Sequence, residues 1–327
     1  MGATVLEVKD LRTYFFTRWG VVKAVDGVSF SMAEGETLGI VGESGCGKSV
    51  TSLSILRLLP EPVGRIIGGE ILFAGEDLVH KTEWEMCQIR GSRISMILQD
   101  PMTSLNPVFS IGNQIAEAFR IHRRLKGSRL WEKATEMLRL VKIPSPEVRL
   151  RAYPHQMSGG MRQRVVGAIG ISCQPRLLIA DEPTTSLDVT IQAQYLRLLK
   201  EIQTEMGLSL IFITHDFGIV AKICDRVAVM YAGRIVESAE VRELFNHPRH
   251  PYTQALLNSV PHLEGPMERL ASVEGQPPAL YNLPPGCSFA PRCAYARSMC
   301  QQQYPPEVTV ADGHRARCWM LTDAWDD

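Results

Sequence analysis

The chain carries no net charge: its 327 residues hold 35 Lys plus Arg against 35 Asp plus Glu. No global field therefore draws it to nucleic acid or anionic lipid. It also lacks long hydrophobic runs. LLIA and LSLIFI have the length of core strands, far short of the roughly 20 residues that a membrane-spanning helix needs. The opening MGATVLEVKDL has no basic segment followed by an apolar one, so no signal peptide is expected. Internal repeats and low-complexity tracts are missing too. Cysteine is used sparingly, and Cys46, Cys87, Cys173 and Cys224 lie scattered, as reduced thiols do in a reducing compartment. A soluble, cytoplasmic protein is expected. Its 45% hydrophobic content suffices for a sizeable core and a second small unit.

Apolar clusters between glycines and charged turns mark strands at residues 4–10 and 25–40. ETLGIVGESGCGKSVTSLSILRLL reads as a buried strand, a glycine-rich turn and an apolar-striped helix. Between residues 111 and 141, Ile115, Ala118, Phe119, Leu138 and Val141 recur at helical spacing amid charges, which predicts a helical insertion. The strand RLLIADEP, the helix DVTIQAQYLRLLKEIQTEM and the strand SLIFITHD follow. Alternating strand and helix implies an α/β core with a largely parallel sheet. Eleven of the 20 prolines and four of the eight cysteines come after Phe245. The expected division is therefore a nucleotide-binding domain over 1–245, with a helical subdomain at about 100–170, and an irregular proline-rich extension over 246–327.

GESGCGKS, residues 42–49, matches G-x-x-x-x-G-K-[ST] between a strand and a helix, the context in which that pattern binds phosphate. Gly42, Glu43, Ser44, Gly45, Cys46 and Gly47 would turn their backbone N–H groups around phosphate oxygens, and the helix start at Lys48, Ser49 and Val50 adds partial positive charge. Lys48 is expected to reach the β- and γ-phosphates of ATP and the Ser49 hydroxyl to ligate Mg²⁺. LLIADE delivers two carboxylates at a strand end: Asp181 for the magnesium shell and Glu182 to polarise the attacking water. Cys46, inside the loop and near a helix N-terminus, reads either as a reactive thiol, whose alkylation would block nucleotide binding and which Mg-ATP would protect, or as a small filler residue with no regulatory meaning.

MSGGMRQR from Met157, TTSLD ending at Asp188, ITHD around His215 and Gln99 in MILQDP resemble, in order and spacing, the signature, D-loop, switch histidine and Q-loop of ABC-type ATPases. The resemblance covers residues 4 to about 245. It departs at the signature, usually L-S-G-G-Q, where Met157 and Met161 stand for Leu and Gln; Ser158, Gly159 and Gly160 are kept. It implies a P-loop ABC fold and a head-to-tail pair of subunits with two ATPs between them. Ser158, Gly159 and Gly160 of one subunit would hold the γ-phosphate bound by the other, with Asp188 bridging the two. It implies further that His215 contacts the γ-phosphate, that Gln99 takes part in catalysis and ligates Mg²⁺, and that Phe15, with Tyr14 and Phe16 beside it, stacks on adenine.

QDPMTSLNPVFSIGNQI and HPRHPYTQALLNSVP, residues 247–261, are similar to segments of the ATP-binding subunits of dipeptide, oligopeptide and nickel importers. His247 and His250 in the second segment, three apart and broken by proline, read as a loop and helix start rather than metal ligands. The extension beyond it favours the peptide-importing members. Such a subunit borrows its channel. The resemblance implies two membrane permeases, a second homologous ATPase of the F type, a solute-binding protein acting through the permeases, and a peripheral place on the cytoplasmic face of the membrane. The helical insertion would face the permeases, with Gln99 linking that contact to nucleotide. Nickel, haem, glutathione or oligosaccharide importers are alternatives. A non-transport ABC ATPase acting on nucleic acid or ribosomes lacks support, because no second cassette, coiled coil or basic arm is visible. A catalytically dead subunit is disfavoured by the presence of Lys48, Asp181, Glu182 and His215.

Cys287, Cys293, Cys300 and Cys318 follow the spacing C-x5-C-x6-C-x17-C. A reducing compartment disfavours disulfides, and structural zinc usually takes a C-x2–4-C pair, which is missing here. Four thiolates gathered by irregular backbone suit a cubane cluster, although the spacing is not that of a ferredoxin. The resembled peptide-importer subunits include members with a [4Fe–4S] centre at this tail.

Overall fold

Short uninterrupted runs of Ile, Leu and Val build the strands at the centre of each of two units. The computed structural model describes residues 2–259 and 273–325. Val260 and Pro261, the end of the histidine-containing segment, lie outside the described residues. One unit comprises Met1–Val5, Ala33–Glu36 and His80–Ile213; the other comprises Leu6–Met32, Thr37–Val79 and Thr214–Asp327.

In the first unit the strands Ile94–Ile97, Leu177–Asp181 and Ser209–Thr214 run parallel, with Ile94 opposite Leu177 and Leu177 opposite Ser209. Every residue of the last two strands is buried, as expected of parallel strands covered on both faces. The helical insertion forms Ile111–His122 and Gly127–Leu140. Ser110 caps the first of these, and Ile115, Phe119, Leu138 and Val141 are buried, while Ala118 is half-buried. The helix Val189–Met206 ends where Gly207 turns left-handed at φ 62°.

In the second unit four strands pair in the order Gly20–Ala33, Thr4–Thr17, Gly64–Phe73, Glu76–Asp77. A further set begins with Thr37–Val41, parallel to Arg226–Tyr231. Arg234–Glu240, His314–Ala316 and Val308–Ala311 continue it in antiparallel pairing. Residues after 245, read from sequence as irregular, thus supply two short strands and the helix Pro251–Asn258. The two strands are too short to signal themselves; the edge of Arg234–Glu240 pairs with His314–Ala316, which in turn pairs with Val308–Ala311. Tyr252 and Phe289 of this extension share one core with Val41, Val229, Tyr231 and Leu244. Burying a ring such as Phe289 contributes about 2–3 kcal/mol. The strand that leads into the phosphate loop and the proline-rich tail therefore share a single core.

Candidate functional site

Residues 42–49 join the buried strand Thr37–Val41 to the helix Lys48–Ile55. Gly42 and Gly47 adopt φ of 155° and 107°. A Cβ there would lie 2.1 Å from the Met230 carbonyl oxygen and 2.2 Å from that of Ala24, so only glycine fits. The loop wraps its own lysine: Lys48 Nζ donates to the carbonyls of Gly42 at 2.7 Å and Glu43 at 3.0 Å. Ser44, Gly45 and Ser49 stay exposed on the rim, and Val50 is half-buried. A cradle this bare of side chains, with a cation at its centre and a helix start behind it, suits a phosphate chain. His215 lies exposed in the same unit, and the following Asp216 caps Phe217–Ile223 by accepting from Gly218 N at 2.7 Å.

Burial favours the filler reading of Cys46 over the reactive one. The thiol is buried, and that burial outweighs the nearby Lys48 charge and raises its pKa. Phe15 is half-buried opposite Gly64, where an added Cβ would come 3.0 Å from the ring. Its neighbours divide: Phe16 is exposed, and Tyr14 Oη donates to Asp26 Oδ1 at 2.6 Å.

The first unit holds the other motif residues. Asp181 is buried at the end of its strand. Glu182 follows with φ 45°, left-handed backbone that a non-glycine residue seldom adopts and that tends to mark functional positions. Its Oε2 accepts from Gln99 Nε2 at 3.1 Å and from Thr185 Oγ1 at 3.0 Å. The structure thus joins Gln99 and Glu182, which lie 83 positions apart. Ser158 caps Gly159–Ile171 by accepting from Met161 N, and Asp188 caps Val189–Met206 by accepting from Ile191 N at 3.0 Å. Both helix starts open into one hollow of about 500 Å³, lined also by Gly159, Gly160, Lys142 and Arg164. Sequence reading missed those two cations. Arg164 lies four positions, about one turn, after Gly160, a spacing that places the two on the same face.

Cys287, Cys293, Cys300 and Cys318 all line one small cavity, walled by Phe289, Tyr295, Trp319 and Trp325. Burial pushes the Cys287 thiol up to about 11 and that of Cys318 up to about 12. Among the described residues no group of three or more His, Cys, Asp or Glu is set to hold a metal ion. His250 is a helix cap, with Nδ1 accepting from Tyr252 N at 3.0 Å, and burial lowers its pKa to about 3.

A buried strand, a glycine cradle around a lysine and a helix start define a P-loop nucleotide-binding protein of the α/β class. Comparison with known proteins narrows the class. The ABC transporter profile matches residues 25–185, and the profile for the oligopeptide/dipeptide transporter C-terminal region matches residues 236–300. The chain is 55% identical over 320 residues to the probable peptide ABC transporter ATP-binding protein y4tR of Sinorhizobium fredii, spanning 98% of this chain and 96% of that one. It is 53% identical over 318 residues to the oligopeptide transport ATP-binding protein OppD of Bacillus subtilis, spanning 97% and 89%. The dimeric ATP-binding cassette MJ0796 bound to ADP and Pi shares the fold with a TM-score of 0.65 at 23% identity, over 72% of this chain and 99% of that one. The chain belongs to the ABC transporter family of ATPases, in the group that carries the oligopeptide/dipeptide transporter C-terminal region. Among the described residues no helix is long and apolar enough to cross a membrane.

Proposed function

We propose that this chain hydrolyses ATP to power an importer of dipeptides or oligopeptides, from the cytoplasmic face of the membrane. The observation that carries the reading is an ATPase body joined to the C-terminal region named for oligopeptide and dipeptide transporters. The names of the relatives, peptide and oligopeptide transport ATP-binding proteins, support it. In this reading Lys48 and the loop N–H groups hold the phosphates, Phe15 stacks on the base, and Ser49, Gln99 and Asp181 hold magnesium, which would offset phosphate charge. Glu182 takes the water as base, oriented by Gln99, and His215 holds the γ-phosphate. A second ATPase of the homologous F type supplies the facing Ser158–Gly160 cradle and Asp188 in trans.

Two permeases and a solute-binding protein complete the machine. Leu98, Val108 and Phe109, large apolar side chains exposed in the unit that holds Gln99, suit a permease contact there. Domain limits of 1–245 and 246–327 follow the same reading. Reconstitution in vesicles with the neighbouring permeases and binding protein tests it: ATP-dependent peptide uptake should appear and vanish with Glu182→Gln. Uptake of nickel, haem, glutathione or oligosaccharide in place of peptide would overturn the cargo.

The four cysteines belong, in the same reading, to a [4Fe–4S] cluster that knits the extension together. Their convergence on one aromatic-walled cavity supports this. A cluster places its irons at separate corners, so its thiolates stand farther apart than the ligands of one ion. Anaerobic purification should yield brown protein with about four irons per chain and broad absorbance near ~400 nm. Stoichiometric zinc without iron would overturn it.

A further inference from the structure

Glu43 is a carboxylate inside a loop that must accept a polyanion. Left alone it would repel phosphate, yet the chain places a cation against it from 249 positions away. Arg292 Nη1 donates to Glu43 Oε2 at 2.6 Å and Nη2 to Oε1 at 2.9 Å, a two-pronged pair. The arginine side chain is only 4% exposed. Its remaining donors are used as well: Nε to the Glu274 carbonyl at 2.9 Å, Nη2 to that of Val273 at 3.0 Å, and Nη1 to Tyr231 Oη at 3.3 Å. The backbone of Glu43 is held from the same side, its N–H donating to Tyr252 Oη at 2.9 Å.

Arg292 ends the turn Ala290–Arg292 and immediately precedes Cys293. The cysteine-bearing extension makes a second contact, with the strands near Phe15. Tyr304 stacks 3.9 Å from the Arg234 guanidinium, which holds Asp26 Oδ2 at 2.6 Å, and Asp26 in turn accepts from Tyr14 beside Phe15.

We propose that Arg292 is a positioning residue for nucleotide binding, neutralising Glu43 and seating the phosphate loop on the lobe that carries the four cysteines. The proposal rests on residues 42–49 being the phosphate loop. Removing the cation should leave the Glu43 carboxylate uncompensated beside the incoming phosphates, a cost that removal of that carboxylate relieves. A residue that merely packs would show no such relief.

The test titrates a fluorescent ATP analogue with Mg²⁺ into the full-length chain. Arg292→Gln should bind about tenfold more weakly, with the loss shrinking as salt rises. Arg292→Gln combined with Glu43→Gln should recover most of the affinity. Arg292→Lys, which keeps the charge but not the two-pronged geometry, should lose less affinity than Arg292→Gln. Three results would overturn the proposal: parental affinity for Arg292→Gln, a double variant as weak as the single, or an Arg292→Lys loss as deep as that of Arg292→Gln. If the parent chain itself fails to bind nucleotide, the phosphate-loop reading is what has failed.

Discussion

Asp188 carries two roles that substitution can separate. Its Oδ1 accepts from Ile191 N at 3.0 Å and so caps the 18-residue helix Val189–Met206. Its place on the hollow with Ser158–Gly160 suits a bridge to a second subunit. Asp188→Ala removes both the cap and the charge. An exposed N-cap of this kind is worth about 1 kcal/mol, with a further ~0.5 kcal/mol from an anion at a helix start. The expected loss is therefore about 1–1.5 kcal/mol, a midpoint shift of a few degrees in a chain of this size. Asp188→Asn keeps the cap and loses only the charge, so its cost should stay near ~0.5 kcal/mol. Thermal melts of the full chain measure both. ATP turnover of the assembled complex should fall with either variant, since neither retains the carboxylate. If Asp188→Asn restores turnover together with stability, the residue acts only as a cap and the bridging role is refuted.

Glu182→Gln should cut turnover at least a hundredfold while nucleotide still binds, because the amide keeps an oxygen for Gln99 and Thr185 but cannot serve as a base; single-turnover assays beside binding titrations check it. Alkylation of Cys46 at neutral pH should be slow compared with that of exposed Cys87, as mass-spectrometric labelling rates would record, because burial raises the Cys46 thiol. Burial alone would raise the Asp26 carboxyl, but hydrogen bonds from Tyr14 and Arg234 outweigh it and hold the pKa low. That pair therefore stabilises the fold above about pH 4 and loses its effect as pH falls through the lowered value, where the unfolded chain binds the extra proton. Urea melts from pH 6 to pH 3 should fall more steeply for the parent than for Asp26→Asn, and equal slopes would remove the ion pair from the account.

Phosphate binding is legible in sequence because it is local. Eight consecutive residues, 42–49, build the cradle from their own backbone, and Gly42 and Gly47 are dictated by steric contacts as much as by function. The parallel strands Leu177–Asp181 and Ser209–Thr214 are equally plain, since burial on both faces demands an unbroken apolar run. The two short strands after residue 307 are not legible, because the inner one, His314–Ala316, pairs with an edge formed almost 80 residues earlier and the outer one pairs only with it. The same limit leaves two readings of Cys46 open in sequence, since its helix-terminus context is local whereas its burial comes from distant packing. Convergence is what tertiary structure alone decided. Spacing placed four cysteines in the tail, but only folding set them around one cavity. Gln99 reaches Glu182 across 83 positions, and Arg292 reaches Glu43 across 249. Periodicity over a turn or a strand carries no information at such separations, because those contacts are fixed by which cores form and not by which residues are neighbours.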